Sequence, residues 1–206
     1  MTAQDVVDDV EYDLDLQGIV VNPGRLLALV KEAENNFCHN TRCLFKEGTQ
    51  ATTADTYDYN LQTKVSEGGV TEKIITIHSA KYGASGAEEP MNEVSVNAFN
   101  KISDFYSDVY EDIYTMVTRL TMRLFHNPTT AYNIKFIYSY EPNTDITKRA
   151  STLTLDDIYR EALYDYCMWK SLAPIPKFVE LADHYRKLYM NETKANVCIP
   201  KKENIK

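Results

Sequence analysis

Two thiols and an imidazole stand within six residues at Cys38-His39-Asn40-Thr41-Arg42-Cys43, the densest concentration of reactive side chains in the sequence. The spacing offers two or three metal ligands, but a structural zinc site wants four. The remaining cysteines and histidines, Cys167, Cys198, His78, His126 and His184, stand singly and far away. A Cys38-His39 nucleophile pair is open in principle because such residues meet in space, yet nothing local supports it. Cys38, Cys43, Cys167 and Cys198 show no disulfide or zinc framework, so reduced thiols in a reducing compartment are expected.

Two carboxylate pairs, Glu88-Glu89 and Asp156-Asp157, have the composition of a general acid and base. Their positions favour other roles. The first lies in the loop GASGAEE, and the second opens a helix, where the dipole favours negative charge. His184 sits one step off an apolar stripe and beside Arg186 and Lys187, which reads as a solvated or interface histidine. No GxGxxG, GxxxxGK[ST], GxSxG or HExxH occurs, and seven glycines leave little for a phosphate-cradling loop. The expectation is a protein without catalytic residues, cofactor or metal.

These groups must be carried by elements, and the last third of the chain is the best marked. TLTLDDIYREALYDYCMWKSLA reads as a helix with Thr154 as N-cap and Asp157 three residues on. Leu155, Ile158, Ala162, Tyr166, Trp169 and Leu172 recur at helical spacing, with Asp156, Arg160, Glu161, Asp165 and Lys170 mostly off that stripe. Pro174 and Pro176 stop it and start a second helix, striped by Phe178, Leu181, Tyr185, Leu188 and Tyr189. Near the start, Asn22 caps and Pro23 opens a helix with Leu26, Leu27, Leu29, Val30, Ala33 and Phe37 on its apolar face. Three such stripes can share one small core.

Between these helices the pattern changes to strands. LFKEGTQ, DTYDYNLQ, the stretch around Ile74 to Ser79, YTMVTRL, TMRLFHNP and AYNIKFIYSYEP are strand-like, and in the last Tyr132, Ile134, Phe136 and Tyr138 point one way. Residues 95–105 predict a short helix with Ser95 as cap and Val96, Phe99 and Ile102 inward. An antiparallel meander follows, and the class is α+β: a small helical bundle from both ends of the chain, an inserted antiparallel β region and extended termini. The expected organisation is an acidic N-terminal arm at 1–21, a single domain at 22–192 with helices 22–40, 153–172 and 175–192 and a β region at 43–141, and a C-terminal tail at 193–206.

The strand and helix pair at the C-terminal end carry a resemblance. The residues Ala131, Tyr132, Ile134, Tyr138, Ser139, Tyr140 and Pro142, then Leu153, Leu155, Asp157, Tyr159, Ala162, Leu163, Asp165, Tyr166, Lys170, Ser171 and Leu172, and last His184 and Tyr185, keep the order and spacing of tailed-phage head-to-tail adaptors, also called connector, neck or head-completion proteins. Upstream, a helix followed by strands up to His126-Asn127-Pro128 agrees in outline. The resemblance implies a virion protein made in the host cytoplasm that forms a ring of about twelve copies beneath the portal. It further implies that the ring contacts the portal and a tail or second neck-ring protein, with DNA passing through its centre.

The rest of the sequence is compatible with that role. A net charge of -8 argues against gripping nucleic acid through its phosphates, which needs clustered Lys and Arg. No apolar run approaches a membrane span and no signal-peptide pattern opens the chain. Fifteen tyrosines against one tryptophan suit interfaces as well as a modest core. For subunit contacts the acidic arm offers Asp8, Asp9 and Tyr12, to be met by basic spots at Lys135, Lys148 and Arg149. The tail offers Val197, Cys198, Ile199, Pro200, Lys201, Lys202 and Ile205 to the portal. A monomeric or dimeric α+β protein-binding module is the alternative, and a small hydrolase using Cys38 and His39 a third.

Overall fold

The computed structural model describes residues 1–64, 66–67, 70–71, 73–105, 113–125, 132–142 and 145–198, and these fall into two compact units. The helical unit joins Met1–Leu44 to Glu141–Cys198; the β unit is the insert Phe45–Tyr140. The organisation is thus α+β, with the single domain of the sequence reading divided in two.

Four helices build the first unit: α1 (Ala3–Leu16), α2 (Pro23–Thr41), α4 (Arg160–Leu172) and α5 (Val179–Ala195). Helix α1 is where the expected acidic arm was placed. It folds because Thr2 and Asp5 form a capping box and because Val6, Val7, Val10 and Leu14 share one stripe, each at most 1% exposed. The acids occupy the other face, so a segment that reads as an arm by charge is a core helix by period. Helix α2 starts as expected, with the Asn22 side chain accepting from the Gly24 N–H at 2.8 Å. Its buried face is Leu26, Leu29, Val30, Ala33, Phe37 and Cys38.

Helix α4 begins later than the sequence suggests. Residues Asp157–Tyr159 form a 3-10 turn, and Thr154 is not the cap. A 3-10 turn advances by three residues per turn instead of 3.6, which rotates the register. Ile158, expected inward, is therefore 78% exposed, while Tyr159 packs on Phe37 with ring centroids 5.0 Å apart. Asp165, expected outward, is buried along with Leu163, Cys167, Met168 and Ser171, so α4 is enclosed on most sides. Helix α5 runs to Ala195 and buries Ala182, Tyr189 and Thr193, so the tail starts later than residue 193; Leu188 of the expected stripe is exposed.

The tyrosines largely serve this core. Tyr166 donates to Glu32 of α2 at 2.6 Å, Tyr189 to Asn36 of α2 at 2.7 Å, and Tyr164 to Asp13 of α1. Each ring fills apolar space while its hydroxyl is tied to a neighbouring helix. Burial pushes the Tyr189 phenol up to about 12.

In the second unit the strands are β1 (Phe45–Ala51), β2 (Asp58–Asn60), β3 (Ser66–Glu67), β4 (Val70–Thr71), β5 (Lys73–Gly83), β6 (Glu89–Pro90), β7 (Asn92–Glu93), β8 (Ile113–Thr118), β9 (Thr121–Leu124) and β10 (Asn133–Glu141). They form one sheet in the order β1-β10-β5-β6, a second in the order β2-β9-β8-β7, and the ribbon β3-β4. The order is not a meander, and β7 pairs with β8 in parallel. Strand β10 alternates as expected, burying Ile134, Phe136 and Tyr138. Gly48 of β1 lies opposite Phe136, and the ring occupies the space a side chain would need: a Cβ at Gly48 would stand 2.5 Å from Phe136 Cζ. Helix α3 (Val96–Phe105) is capped by Ser95, whose Oγ accepts from Ala98 at 3.2 Å; Phe99 is buried and Val96 is exposed. Ala131, His126-Asn127-Pro128 and the Ile102 side chain lie outside the described residues.

Candidate interaction surfaces

Of the acidic and basic residues expected to meet between subunits, Asp8 and Arg149 pair within one chain. Arg149 donates to Asp8 at 2.6 Å and to both oxygens of Glu11 at 2.5 and 2.6 Å. These contacts, Glu11 foremost and then burial opposing them, leave the guanidinium above its ordinary range. Arg160 does the same for Asp9 at 2.6 Å and also reaches the Asp5 carbonyl at 3.0 Å. One face of α1 is thereby held by cations from the far end of the sequence. Sequence reasoning missed Arg160 and Glu11, because their partners, Asp9 and Arg149, lie 151 and 138 positions away. Lys148 is exposed, and Lys135 of the β unit pairs with Glu88 at 3.1 Å.

Beyond the paired charges the α1 surface opens into a groove of about 500 Å³ lined by Asp9, Tyr12, Asp13, Asp157, Ile158, Arg160, Glu161 and Tyr164. Tyr12 and Ile158 stand 67% and 78% exposed within a frame dominated by carboxylates. An exposed aromatic and a branched aliphatic side chain, rimmed by charge, have the composition of a contact surface. The β unit carries a smaller, more polar hollow of about 320 Å³ around Glu47, Lys81, Glu88 and Lys135.

The groups that suggested chemistry are placed as structural ones. His39 lies 3.6 Å from Glu141, and His184 is exposed against the Tyr185 ring. Asp157 is the first residue of its 3-10 turn, and its carboxylate pairs with the Met1 ammonium at 2.9 Å. Among the described residues no cluster of three His, Cys, Asp or Glu side chains is arranged to hold a metal ion. Cys38 and Cys43 do come together, and Cys198 is laid beside them by a hydrogen bond from its backbone N–H to the Thr41 carbonyl at 2.8 Å. Val197 is 48% exposed; Ile199, Pro200, Lys201, Lys202 and Ile205 lie outside the described residues.

A family model described as SU10 adaptor protein matches residues 1–195, from two residues before α1 to the last residue of α5. The chain belongs to that family. The SU10 adaptor proteins are a phage head-to-tail adaptor family, and such a family is a structural one and not an enzyme family. The match includes α1, so the segment that charge alone marks as an appendage is part of the SU10 adaptor region. No curated protein matches the chain. No described helix is long and apolar enough to cross a membrane.

Proposed function

We propose that this adaptor assembles as a ring of about twelve copies beneath the portal of a phage head, joins the portal to the tail or to a second neck ring, and leaves a channel through which DNA slides. The role is structural, with no catalytic group, cofactor or metal. The observation that carries it is the groove at Tyr12 and Ile158: a large apolar pair left open in an acidic frame. A closed ring needs two different complementary faces on each subunit, and this groove supplies one of them. The net charge of -8 keeps duplex DNA from being gripped as it passes.

For the portal contact we assign Val197, Cys198, Ile199, Pro200, Lys201, Lys202 and Ile205, a basic and apolar segment directly beyond α5. Tyr12 and the exposed Lys148 remain interface residues in this scheme. Asp8, Asp9, Lys135 and Arg149 act at the interface only through the surfaces that their intrachain pairs shape.

The test is to mix the purified full-length chain with purified portal rings and examine it by mass photometry and negative-stain imaging. The expected result is a ring on the portal. A monomer that is unchanged with and without portal would replace this reading with the protein-binding module. Deleting residues 199–206, which leaves α5 whole, separates the portal contact from ring closure: the deletion is expected to weaken portal binding, and undiminished binding would overturn the assignment of the tail.

A further inference from the structure

Helix α2 ends at Thr41 because Arg42 turns into the left-handed region, φ 55 and ψ 36, and returns its N–H to the Cys38 carbonyl at 2.8 Å. A left-handed residue at this position folds the next residue back onto the last helical turn, five positions upstream. In most proteins two apolar side chains meet there. Here the two positions hold Cys43 and Cys38, and the Cys38 thiol donates a hydrogen bond to the Cys43 sulfur. Access to the two is unequal. Cys38 is fully buried, while Cys43 is partly open to solvent.

That contact also divides the chemistry. The hydrogen bond from Cys38 stabilises the Cys43 thiolate against the opposing effect of burial and brings Cys43 down to about 7. The same bond, with burial behind it, holds Cys38 far up as the neutral thiol. A thiolate at neutral pH, reachable from solvent and backed by a second thiol in contact, is the arrangement that captures a sulfur electrophile and then resolves it.

We propose that Cys38 and Cys43 form a dithiol modification site that takes small-molecule disulfides and closes to an intrachain Cys38–Cys43 disulfide. In the first step the Cys43 thiolate attacks one sulfur of the small disulfide, forming a mixed disulfide and releasing one thiolate. In the second the Cys38 thiol gives up its proton to that thiolate and attacks the Cys43 sulfur, expelling the second small thiolate. The two protein thiols lose two electrons, and the small disulfide is reduced to two thiols. The electrophile of the second step is the neighbouring Cys43 sulfur, so apart from the thiolate that takes its proton no small molecule has to reach the buried Cys38. Once closed, the bond staples the end of α2 two residues before the β unit begins at Phe45. The site is independent of ring assembly.

The native full-length chain is incubated with oxidised glutathione, quenched in acid, alkylated, digested with trypsin and mapped by mass spectrometry. Cleavage after Lys31, Arg42 and Lys46 places the two cysteines on separate peptides, so the expected product is a linked pair lighter by two hydrogens. Cys43 is expected to react about fivefold faster than Cys198 at pH 7, its larger thiolate fraction outweighing its lower intrinsic nucleophilicity. In Cys38→Ala the glutathione adduct on Cys43 should accumulate and form more slowly. Linkage through Cys198 or Cys167, a persistent adduct on Cys43 in the native chain, or equal reactivity of Cys43 and Cys198 would each overturn the proposal, and all three are read on the unmutated protein.

Discussion

Glu34 and Thr154 are joined across 120 positions of sequence: the Glu34 carboxylate accepts the Thr154 backbone N–H at 2.5 Å and the next N–H, of Leu155, at 3.2 Å. Glu34 is 1% exposed and sits on the buried face of α2. A side chain from one helix therefore fixes the backbone that leads into another, the task that the sequence reading gave to a Thr154 cap. Glu34→Ala leaves two backbone donors without this acceptor and is expected to lower stability by about 3 kcal/mol. Glu34→Gln keeps an acceptor and should cost about 1 kcal/mol. Urea unfolding at constant m-value is the measurement.

Ile158 contributes nothing to the core at 78% exposure, so Ile158→Lys should leave the unfolding midpoint within the usual range for surface substitutions, about 0.5 kcal/mol. The same variant should fail to complete rings on portal, and Tyr12→Ala should weaken them. Normal rings from both variants would remove the groove from the subunit contact.

Asp165 is buried, and burial, reinforced by the charges of Glu161 and Glu192, raises its carboxyl to about 7. The unfolded chain holds the same group near 3.9. Between these values the folded state binds the proton that the unfolded state has lost, so stability falls as pH rises from about 4 to about 7 and levels beyond. Asp165→Asn should flatten that slope and be more stable than the parent at pH 8, by up to about 4 kcal/mol at roughly 1.4 kcal/mol per unit. Thermal melts from pH 4 to 8 report it, and identical slopes in the two proteins would refute it.

Gly48→Ala places a methyl group against the buried Phe136 ring, which must move into a filled core. The expected cost is about 1–3 kcal/mol. Because the two residues are directly paired, the double variant with Phe136→Leu should recover part of that loss, a non-additivity read from a double-mutant cycle.

The elements that the sequence reading placed correctly are those whose signals are local. Asn22 and Pro23 mark the start of α2, Ser95 caps α3, and the alternation Ile134, Phe136, Tyr138 defines β10. Helix α1 was misread because its acids invite repulsion when counted alone, and the cations that answer them, Arg149 and Arg160, lie some 140 residues away in the folded pairing. The valine stripe at positions 6, 7 and 10 was legible and outweighs the charge. The outward Ile158 follows from a 3-10 turn, and the backbone just before that turn is held by Glu34, again a distant residue. Strand order failed for the same reason: β1 pairs with β10 across nearly the whole insert, a match that no local pattern encodes. At the candidate surface, Asp9 and Tyr12 read from the sequence as interface residues while Ile158 reads as core, so the groove is half visible there.

The first and last strands of the insert lie side by side, Phe45 opposite Ser139. The chain thus leaves the helical unit and returns to it through neighbouring strands. Loop closure across so short a gap costs little whatever length of chain lies between. A lineage of such proteins can therefore lengthen, shorten or exchange the β cassette to suit a new neighbour while α1, α2, α4 and α5 keep the same core. In the laboratory the same two strands are the natural points at which to graft one adaptor's cassette onto another's helices.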